Sequence, residues 1–221
     1  MKRNTLFGIV LALLLLAFVL GTLLYKSGKA DQSTQLAERN REHLVRMHSP
    51  ALGRADAPVV IVEFFDPACE TCAAFYAPVK EMIAANPDLI RLVMRYAPFH
   101  QGSDQVVAVL EAARKQGKFW PVLEAVLGSQ AGWAPHHTAQ VDLVWRHLEG
   151  LGLDMQQLKA DMQAPAIATV IAQDLDDARA LEVKMTPEYF VNGKPLPSFG
   201  YEQLKKLVDD ALQEAKARPA R

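Results

Sequence analysis

Two cysteines separated by two residues constrain this chain more than any other feature. Cys69 and Cys72 are the only cysteines among its 221 residues, so each is the other's only possible partner for an intramolecular disulfide. The apolar run Val59–Phe65 predicts a buried β-strand before them, and the run Ala73–Ala77 predicts a helix after them. Two thiols at this spacing at the start of a helix can close and open a disulfide with little backbone movement. The pattern therefore predicts a redox-active dithiol.

The position of each cysteine suggests its chemical role. Unpaired backbone N–H groups and the positive end of the macrodipole at a helix N-terminus favour a thiolate, so Cys69 is the candidate nucleophile. Cys72, one turn further on, is placed to resolve a mixed disulfide by attacking the Cys69 sulfur. Glu70 puts a carboxylate beside that thiolate and opposes its ionisation. We therefore expect a disulfide that is less oxidising than the strongest protein oxidants, with a reduction potential below about −120 mV.

Two features elsewhere in the sequence are candidates for the same site. Glu63 lies in the otherwise apolar predicted strand. Buried beneath the disulfide, it would have a raised pKa and could relay protons to or from Cys72; the alternative is an ordinary charged residue at a strand end. Thr186-Pro187 directly precedes another predicted strand. A cis peptide there would expose the Thr186 backbone to an extended substrate chain, whereas the alternative is a simple strand-entry proline.

The remaining pattern predicts an α/β domain interrupted by a long helical stretch. In chain order it predicts a strand over Leu89–Tyr96, mainly helices over about 102–180, a strand over Glu188–Asn192, a short strand near Pro197–Phe199 and an amphipathic helix over Tyr201–Ala217. Asn192-Gly193 predicts a two-residue type I′ hairpin turn, because both central positions of that turn need a positive φ. The last two strands should therefore pair as a hairpin.

The N-terminus predicts an association with a membrane. Leu6–Leu24 is a run of 19 residues without a charge, preceded by Lys2 and Arg3. At about 1.5 Å per residue, this run just spans the hydrocarbon core of a bilayer, so residues 1–25 are expected to form an uncleaved single-pass anchor. A cleaved signal peptide, giving a soluble periplasmic protein, is the alternative. An exported domain whose only cysteines form a CxxC fits the periplasmic side of a bacterial inner membrane.

Residues 26–57 are expected to form a tether between the anchor and a globular domain over residues 58–217. A short, highly charged helix within Ser33–Met47 is compatible with either a solvated spacer or a self-association helix. Four of the 24 basic residues and none of the 25 acidic residues lie in residues 1–30, so the rest of the chain has a net charge of about −5. A mildly acidic domain without a basic cluster argues against nucleic-acid binding.

The histidines do not predict a metal site. A structural zinc ion takes four ligands, and the sequence has no second CxxC. His136-His137 is the only histidine pair, and its loop context predicts a surface turn. His100, after the second predicted strand, is expected to be a structural or solvent-exposed loop histidine. Nothing in the sequence requires a metal, a nucleotide or a flavin.

Two distant motifs together resemble a known family, the DsbA-like thiol:disulfide oxidoreductases. They are Glu63-Phe64-Phe65 followed by Cys69-x-x-Cys72, and Val183-x-x-Thr186-Pro187-x-x-Phe190-Val191-Asn192-Gly193-Lys194 downstream. The resemblance covers residues 49–215. It implies a thioredoxin fold with an inserted helical domain, a catalytic disulfide between Cys69 and Cys72, a cis Pro187 and a buried acid at Glu63.

The resemblance also implies partners and leaves the redox direction open. It implies exchange with cysteine-containing exported proteins and a membrane redox partner for recycling. Glu70-Thr71 replaces the Pro-His of the best-known strong oxidant, and Thr186 stands where that oxidant has a valine, as in isomerase-type relatives. These two departures favour the alternative of a reductase or isomerase kept reduced by a membrane electron donor. A redox-inert binding module of the same fold is the third possibility.

Overall fold

A computed structural model of the chain describes residues 13–14, 35 and 38–217. The chain divides into two units, Met1–Arg39 and Asn40–Arg221. Within the described residues, no helix is both long and apolar enough to cross a bilayer. The predicted anchor at Leu6–Leu24 lies outside them except for two residues, so the anchor stays a prediction.

A five-stranded mixed sheet forms the centre of the domain, with strand order β1-β3-β2-β4-β5. The strands are β1 Ala51–Leu52, β2 Val59–Phe65, β3 Ile90–Tyr96, β4 Glu188–Val191 and β5 Lys194–Pro195. The central pair β2 and β3 is parallel, and the other three pairings are antiparallel. Six of the seven β2 residues are buried, as expected for a strand covered on both faces.

Seven α-helices follow β2 in the described part of the chain, and five of them are inserted between β3 and β4. The helices are α1 Glu70–Ala85, α2 Ser103–Lys115, α3 Phe119–Gly128, α4 Val141–Val144, α5 Met155–Asp161, α6 Pro165–Ala180 and α7 Tyr201–Ala217. Short 3₁₀ turns join several of the inserted helices. This is the predicted fold: an α/β domain of thioredoxin type that carries a helical insertion.

The C-terminal hairpin confirms the predicted turn and corrects the predicted strand. Asn192 and Gly193 both have positive φ, at 47° and 83°. The returning strand is Lys194–Pro195, however, and not the expected segment near Pro197–Phe199. A two-residue turn leaves Lys194 opposite Val191, so pairing starts at once. The Leu196 N–H still donates to the Tyr189 carbonyl oxygen at 2.9 Å, and Pro197 has no N–H to continue the pairing.

Residues 40–57 differ from the tether that the sequence suggested. Residues 38–44 are helical, and Leu44 is only 3% exposed in a small core cluster with Val62 and Phe64. Ala51–Leu52 forms the edge strand β1 on β3. This segment therefore packs as part of the domain. Its packing was not predicted because its partners lie far away in sequence, and local apolar spacing gives no sign of them.

A buried cluster of charged side chains joins residues 40–57 to the rest of the domain. Arg95, fully buried in β3, donates to Asp174 Oδ1 at 2.7 Å and to Asp177 Oδ2 at 2.6 Å through Nη2. Arg46 binds the same Asp177 carboxylate at 2.6 and 2.8 Å. Burial alone would raise the pKa of Asp177, but hydrogen bonds from Arg46, His43 and Arg95 hold that pKa well below its usual range.

Candidate active site

The two cysteines lie at the junction between β2 and α1. Cys69 is the N-cap residue of α1, and Cys72 lies in its first turn. Both are free thiols and both are buried, at 6% and 1% exposure. The loop Asp66–Ala68 is all that separates Phe65, the last residue of β2, from Cys69. The predicted strand, dithiol and helix are therefore confirmed as one continuous unit.

Cys69 is the more acidic thiol. A hydrogen bond with the Cys72 thiol contributes most to lowering its pKa, to about 5, and Thr186 and the backbone N–H groups of Thr71 and Cys72 add to this effect. Burial acts in the opposite direction and is outweighed. Because the thiolate is the nucleophilic form, Cys69 is ready to react at neutral pH.

Cys72 has the opposite electrostatic environment. Burial raises the pKa of its thiol well above the usual value, and the neighbouring Cys69 and the Glu63 charge raise it further. The two sulfurs therefore share one hydrogen bond in which Cys72 keeps its proton and Cys69 loses it. This asymmetry gives the two cysteines the roles that their helix positions predicted.

Glu63 is buried, as its predicted role as a proton relay requires. It lies in the middle of β2, where its register partners are Met94 of β3 and Tyr189 of β4, and it is 1% exposed. Burial raises its pKa to about 8 and the Cys69 charge adds to the rise, whereas the Tyr189 side chain acts against it. Glu63 Oε2 and the Tyr189 hydroxyl nevertheless have no hydrogen-bond partner of ordinary geometry in the described part of the chain. A neutral carboxyl with a free oxygen can both give and take a proton.

Thr186 and Pro187 complete the site from the other side. Their peptide bond is cis, as the resemblance implied. The Cys69 sulfur lies 3.2 Å from the Thr186 carbonyl oxygen, to which it donates when it is protonated, although the two residues are 117 positions apart in sequence. Pro187 is buried and Thr186 is half-buried. The structure thus brings the two predicted motifs into direct contact.

Asp66 is a site residue that the sequence interpretation did not single out. Its fully buried carboxylate accepts hydrogen bonds from the Ala68 N–H through Oδ1, and from the backbone N–H and ring Nδ1 of His100 through Oδ2, each at 2.8 Å. It therefore fixes the loop before Cys69. His100 is a partly exposed loop histidine, and its ring stacks on His137 at 5.0 Å. An aspartate directly before a proline between a strand and a helix was the available sequence signal.

Gln130 was also missed. It comes from the helical insertion, is 6% exposed, and donates through Nε2 to the carbonyl oxygens of Pro67 at 2.7 Å and Cys69 at 2.9 Å. A single glutamine after a helix gives no sequence signal of such a contact. His136 and His137 lie in an exposed turn, and the described residues hold no group of three or more His, Cys, Asp or Glu side chains placed to bind a metal ion.

A dithiol that follows a central strand, opens a helix and faces a cis-proline defines the thioredoxin-fold redox proteins. Comparison with known proteins agrees with this class. The family model described as Thioredoxin matches residues 46–210, three quarters of the chain. The chain therefore belongs to the thioredoxin family, and within it to the DsbA-like thiol–disulfide oxidoreductases.

Individual relatives support this placement. A thioredoxin-like oxidoreductase from Silicibacter pomeroyi is 35% identical and superimposes with a TM-score of 0.69, covering 78% of this chain and 98% of its own. A probable disulfide bond formation protein D from Bacillus cereus is 29% identical over 97% of this chain and 100% of its own length. A Na(+)/H(+) antiporter NhaA from Herminiimonas arsenicoxydans is 32% identical over 65% of this chain. The chain spans only 22% of that antiporter's length.

Proposed function

We propose that this protein is a membrane-tethered disulfide oxidoreductase, which passes the Cys69–Cys72 disulfide to cysteine-containing exported proteins. One observation carries the proposal: the two thiols have opposite pKa shifts, and the reactive one lies 3.2 Å from the carbonyl oxygen before a cis-proline. The acidic Cys69 thiol is a good leaving group when the substrate is released. Once Cys72 has been displaced from the disulfide and protonated, it cannot easily attack the Cys69 sulfur again.

The exchange proceeds in two balanced steps. A substrate thiolate attacks the Cys69 sulfur of the disulfide, an S–S bond to the substrate forms, and Cys72 leaves and takes up a proton. A second substrate thiolate then attacks the substrate sulfur of this mixed disulfide, and Cys69 leaves as a thiolate. Two substrate thiols are oxidised to a disulfide, and the protein's own disulfide is reduced to a dithiol. A membrane redox partner then reoxidises the dithiol.

Glu63 is the proton donor for the first step. With a pKa of about 8 it is mostly protonated at neutral pH, and its charge is coupled to that of Cys72. When Cys72 leaves as a thiolate in a buried environment, transfer of a proton from Glu63 removes the buried sulfur charge. The proton returns when the disulfide is formed again.

Exposed apolar side chains next to the site suit unfolded substrates. Met185, adjacent in the chain to Thr186, is 59% exposed. Phe199 is 48% exposed and packs on Phe75 of α1 with ring centroids 4.9 Å apart. An unfolded exported chain presents apolar side chains beside its cysteines, and such side chains would bury this surface on binding.

The stabilised thiolate supports transfer of the disulfide from this protein to its substrates. Any interaction that favours the Cys69 thiolate stabilises the reduced protein, and so makes the disulfide more oxidising. The name of the Bacillus cereus relative, a probable disulfide bond formation protein, agrees with a disulfide donor. Glu70, exposed at the first position of α1, favours the reductase or isomerase alternative, because it places a negative charge near the thiolate.

Alkylation trapping in cells tests the direction. The protein is acid-quenched, its free thiols are alkylated, and the oxidised and reduced forms are separated by mass. A protein that is mostly oxidised supports the disulfide donor. A mostly reduced protein contradicts it and favours a reductase or isomerase. In the same cells, an uncleaved Leu6–Leu24 anchor predicts that the full-length chain stays with the membrane after an alkaline wash.

The Glu63→Gln substitution has two expected effects. It should slow disulfide exchange at neutral pH, because glutamine cannot supply the proton to Cys72. It should also stabilise the reduced protein at pH 7, by about 1–3 kcal/mol. Since the folded pKa of about 8 lies above the unfolded value of about 4.3, unfolding releases a proton between these pH values, and the wild-type stability falls as pH rises.

Rates and urea unfolding curves at pH 4 and pH 7 measure both effects. The stability gain should vanish near pH 4, where Glu63 is protonated in both states. Glu81→Gln on the exposed face of α1 is a matched control and should change neither quantity. An exchange rate equal to that of the wild type would remove Glu63 from the mechanism.

A further inference from the structure

The inserted helical domain reaches the redox centre through one buried side chain, Gln130. Its Nε2 group donates both of its hydrogens to backbone carbonyl oxygens at the start of α1 and in the loop before it. These are the carbonyl oxygens of Cys69 at 2.9 Å and of Pro67 at 2.7 Å. The residue is only 6% exposed, so water offers these carbonyl groups little compensation if the amide is removed.

Gln130 itself is held rigidly. It opens a 3₁₀ turn directly after α3, and its carbonyl oxygen accepts from the N–H groups of Trp133 at 3.1 Å and Ala134 at 2.8 Å. Trp133 is fully buried and donates from its ring nitrogen to the Val126 carbonyl of α3 at 2.9 Å. The amide of Gln130 is thus a fixed donor that belongs to the insertion and points out of it.

The carbonyl group that Gln130 binds belongs to the nucleophile. Cys69 has extended backbone angles of φ −81° and ψ 117° as the N-cap of α1, and the backbone N–H groups of Thr71 and Cys72 help to lower the pKa of its thiol. Its carbonyl oxygen also accepts from Ala73 N–H at 3.2 Å, the first helical bond. A shift of this peptide group would move the sulfur away from the amides of Thr71 and Cys72.

We propose that Gln130 is a positioning residue, which sets the oxidising power of the Cys69–Cys72 pair by fixing the Cys69 backbone from the helical insertion. The inference rests on the proposed exchange function and deepens it. Gln130 is uncharged, so it acts through geometry: it keeps the helix N–H groups aimed at the thiolate. The insertion therefore contributes to the redox chemistry as well as covering the site.

The test compares Gln130→Met with Gln116→Met. Methionine has a similar length and volume and no hydrogen-bond donor. Gln116 is a matched control, because its side chain also makes two hydrogen bonds to backbone within the insertion, at 3.0 and 2.9 Å to Asp154, away from the cysteines. The readouts are the thiolate absorbance of Cys69 against pH, and the equilibrium of each purified full chain with glutathione.

In Gln130→Met, the pKa of Cys69 should rise, and the equilibrium should shift about tenfold toward the disulfide, a potential lower by about 30 mV. Gln116→Met should match the wild type in both readouts. Gln130→Asn, whose uncharged amide is one methylene shorter, should shift both readouts in the same direction as Gln130→Met. Agreement between these two uncharged variants distinguishes lost positioning from an effect of charge.

Unchanged pKa and potential in folded Gln130→Met, or equal shifts in both methionine variants, would overturn the inference. If Gln130→Met does not fold, Gln130→Asn decides by the same criteria. Failure of the proposed function looks different, because the wild-type protein itself would then not equilibrate with glutathione.

Discussion

Cys72→Ala is expected to accumulate covalent complexes with exported proteins, and Cys69→Ala to lose disulfide exchange completely. Without Cys72, the Cys69 thiolate can still attack a disulfide of an exported protein, which forms the mixed disulfide and frees one substrate thiol. No second thiol of the protein can then resolve this complex, and only the freed substrate thiol can release it. Without Cys69, the remaining thiol is 1% exposed, and its pKa is raised well above the usual value. It is therefore neither accessible nor ionised at neutral pH.

Non-reducing and reducing electrophoresis of each variant from cells measures this difference. Cys72→Ala should show higher-mass species that disappear on reduction, and the Cys69→Ala/Cys72→Ala double variant should show none. If Cys72→Ala also traps nothing while remaining folded, the dithiol does not exchange with proteins. That result would favour a redox-inert binding module built on the same fold.

Arg95→Met is expected to be the most destabilising single substitution outside the site, at about 3–5 kcal/mol. Arg95 is fully buried and neutralises the buried carboxylates of Asp174 and Asp177. Removing it leaves these two carboxylates with the partly exposed Arg46 guanidinium and with the ring nitrogens of His43 and His48, each at 2.7 Å. Since total stability is about 5–15 kcal/mol for a domain, the loss is a large fraction of it.

Urea unfolding at pH 7 measures the loss, with Lys206→Met as the control. Lys206 forms an exposed ion pair with Asp210 on α7, which is worth less than about 1 kcal/mol. A cost for Arg95→Met no larger than that of Lys206→Met would show that the buried cluster does not stabilise the fold.

The same cluster predicts acid sensitivity. The folded pKa of Asp177 is depressed below its unfolded value of about 3.9, so its stabilising contribution is complete above that pH. This contribution is lost as pH falls through the folded pKa, because the unfolded state then binds the proton more readily.

Much of the domain was predictable because its elements have local signals. The apolar run of β2, the Asn192-Gly193 turn and the amphipathic pattern of α7 each specify one element from adjacent residues. The dithiol site was predictable for another reason: the spacing of Cys69 and Cys72 and the Thr186-Pro187 pair are short motifs with a chemical function.

What was missed depends on polar contacts between distant residues. Gln130 and Pro67 are 63 positions apart, and Arg95 and Asp174 are 79 apart. A hydrogen bond or ion pair between such residues leaves no periodic trace in the sequence, because either partner alone resembles an ordinary surface side chain. The packing of residues 40–57 was missed for the same reason, since it depends on the buried carboxylates of α6.

The reduction potential of the purified protein in glutathione buffers tests the central claim most directly. We predict a reversible two-electron transition of Cys69 and Cys72 between about −120 mV and about −270 mV, the values of the strongest oxidant of this class and of thioredoxin. The thiolate stabilisation at Cys69 favours a potential above the lower value. The exposed Glu70 carboxylate beside Cys69 is expected to keep the potential below the upper value. A potential at or below about −270 mV, or no transition at all, would contradict the account.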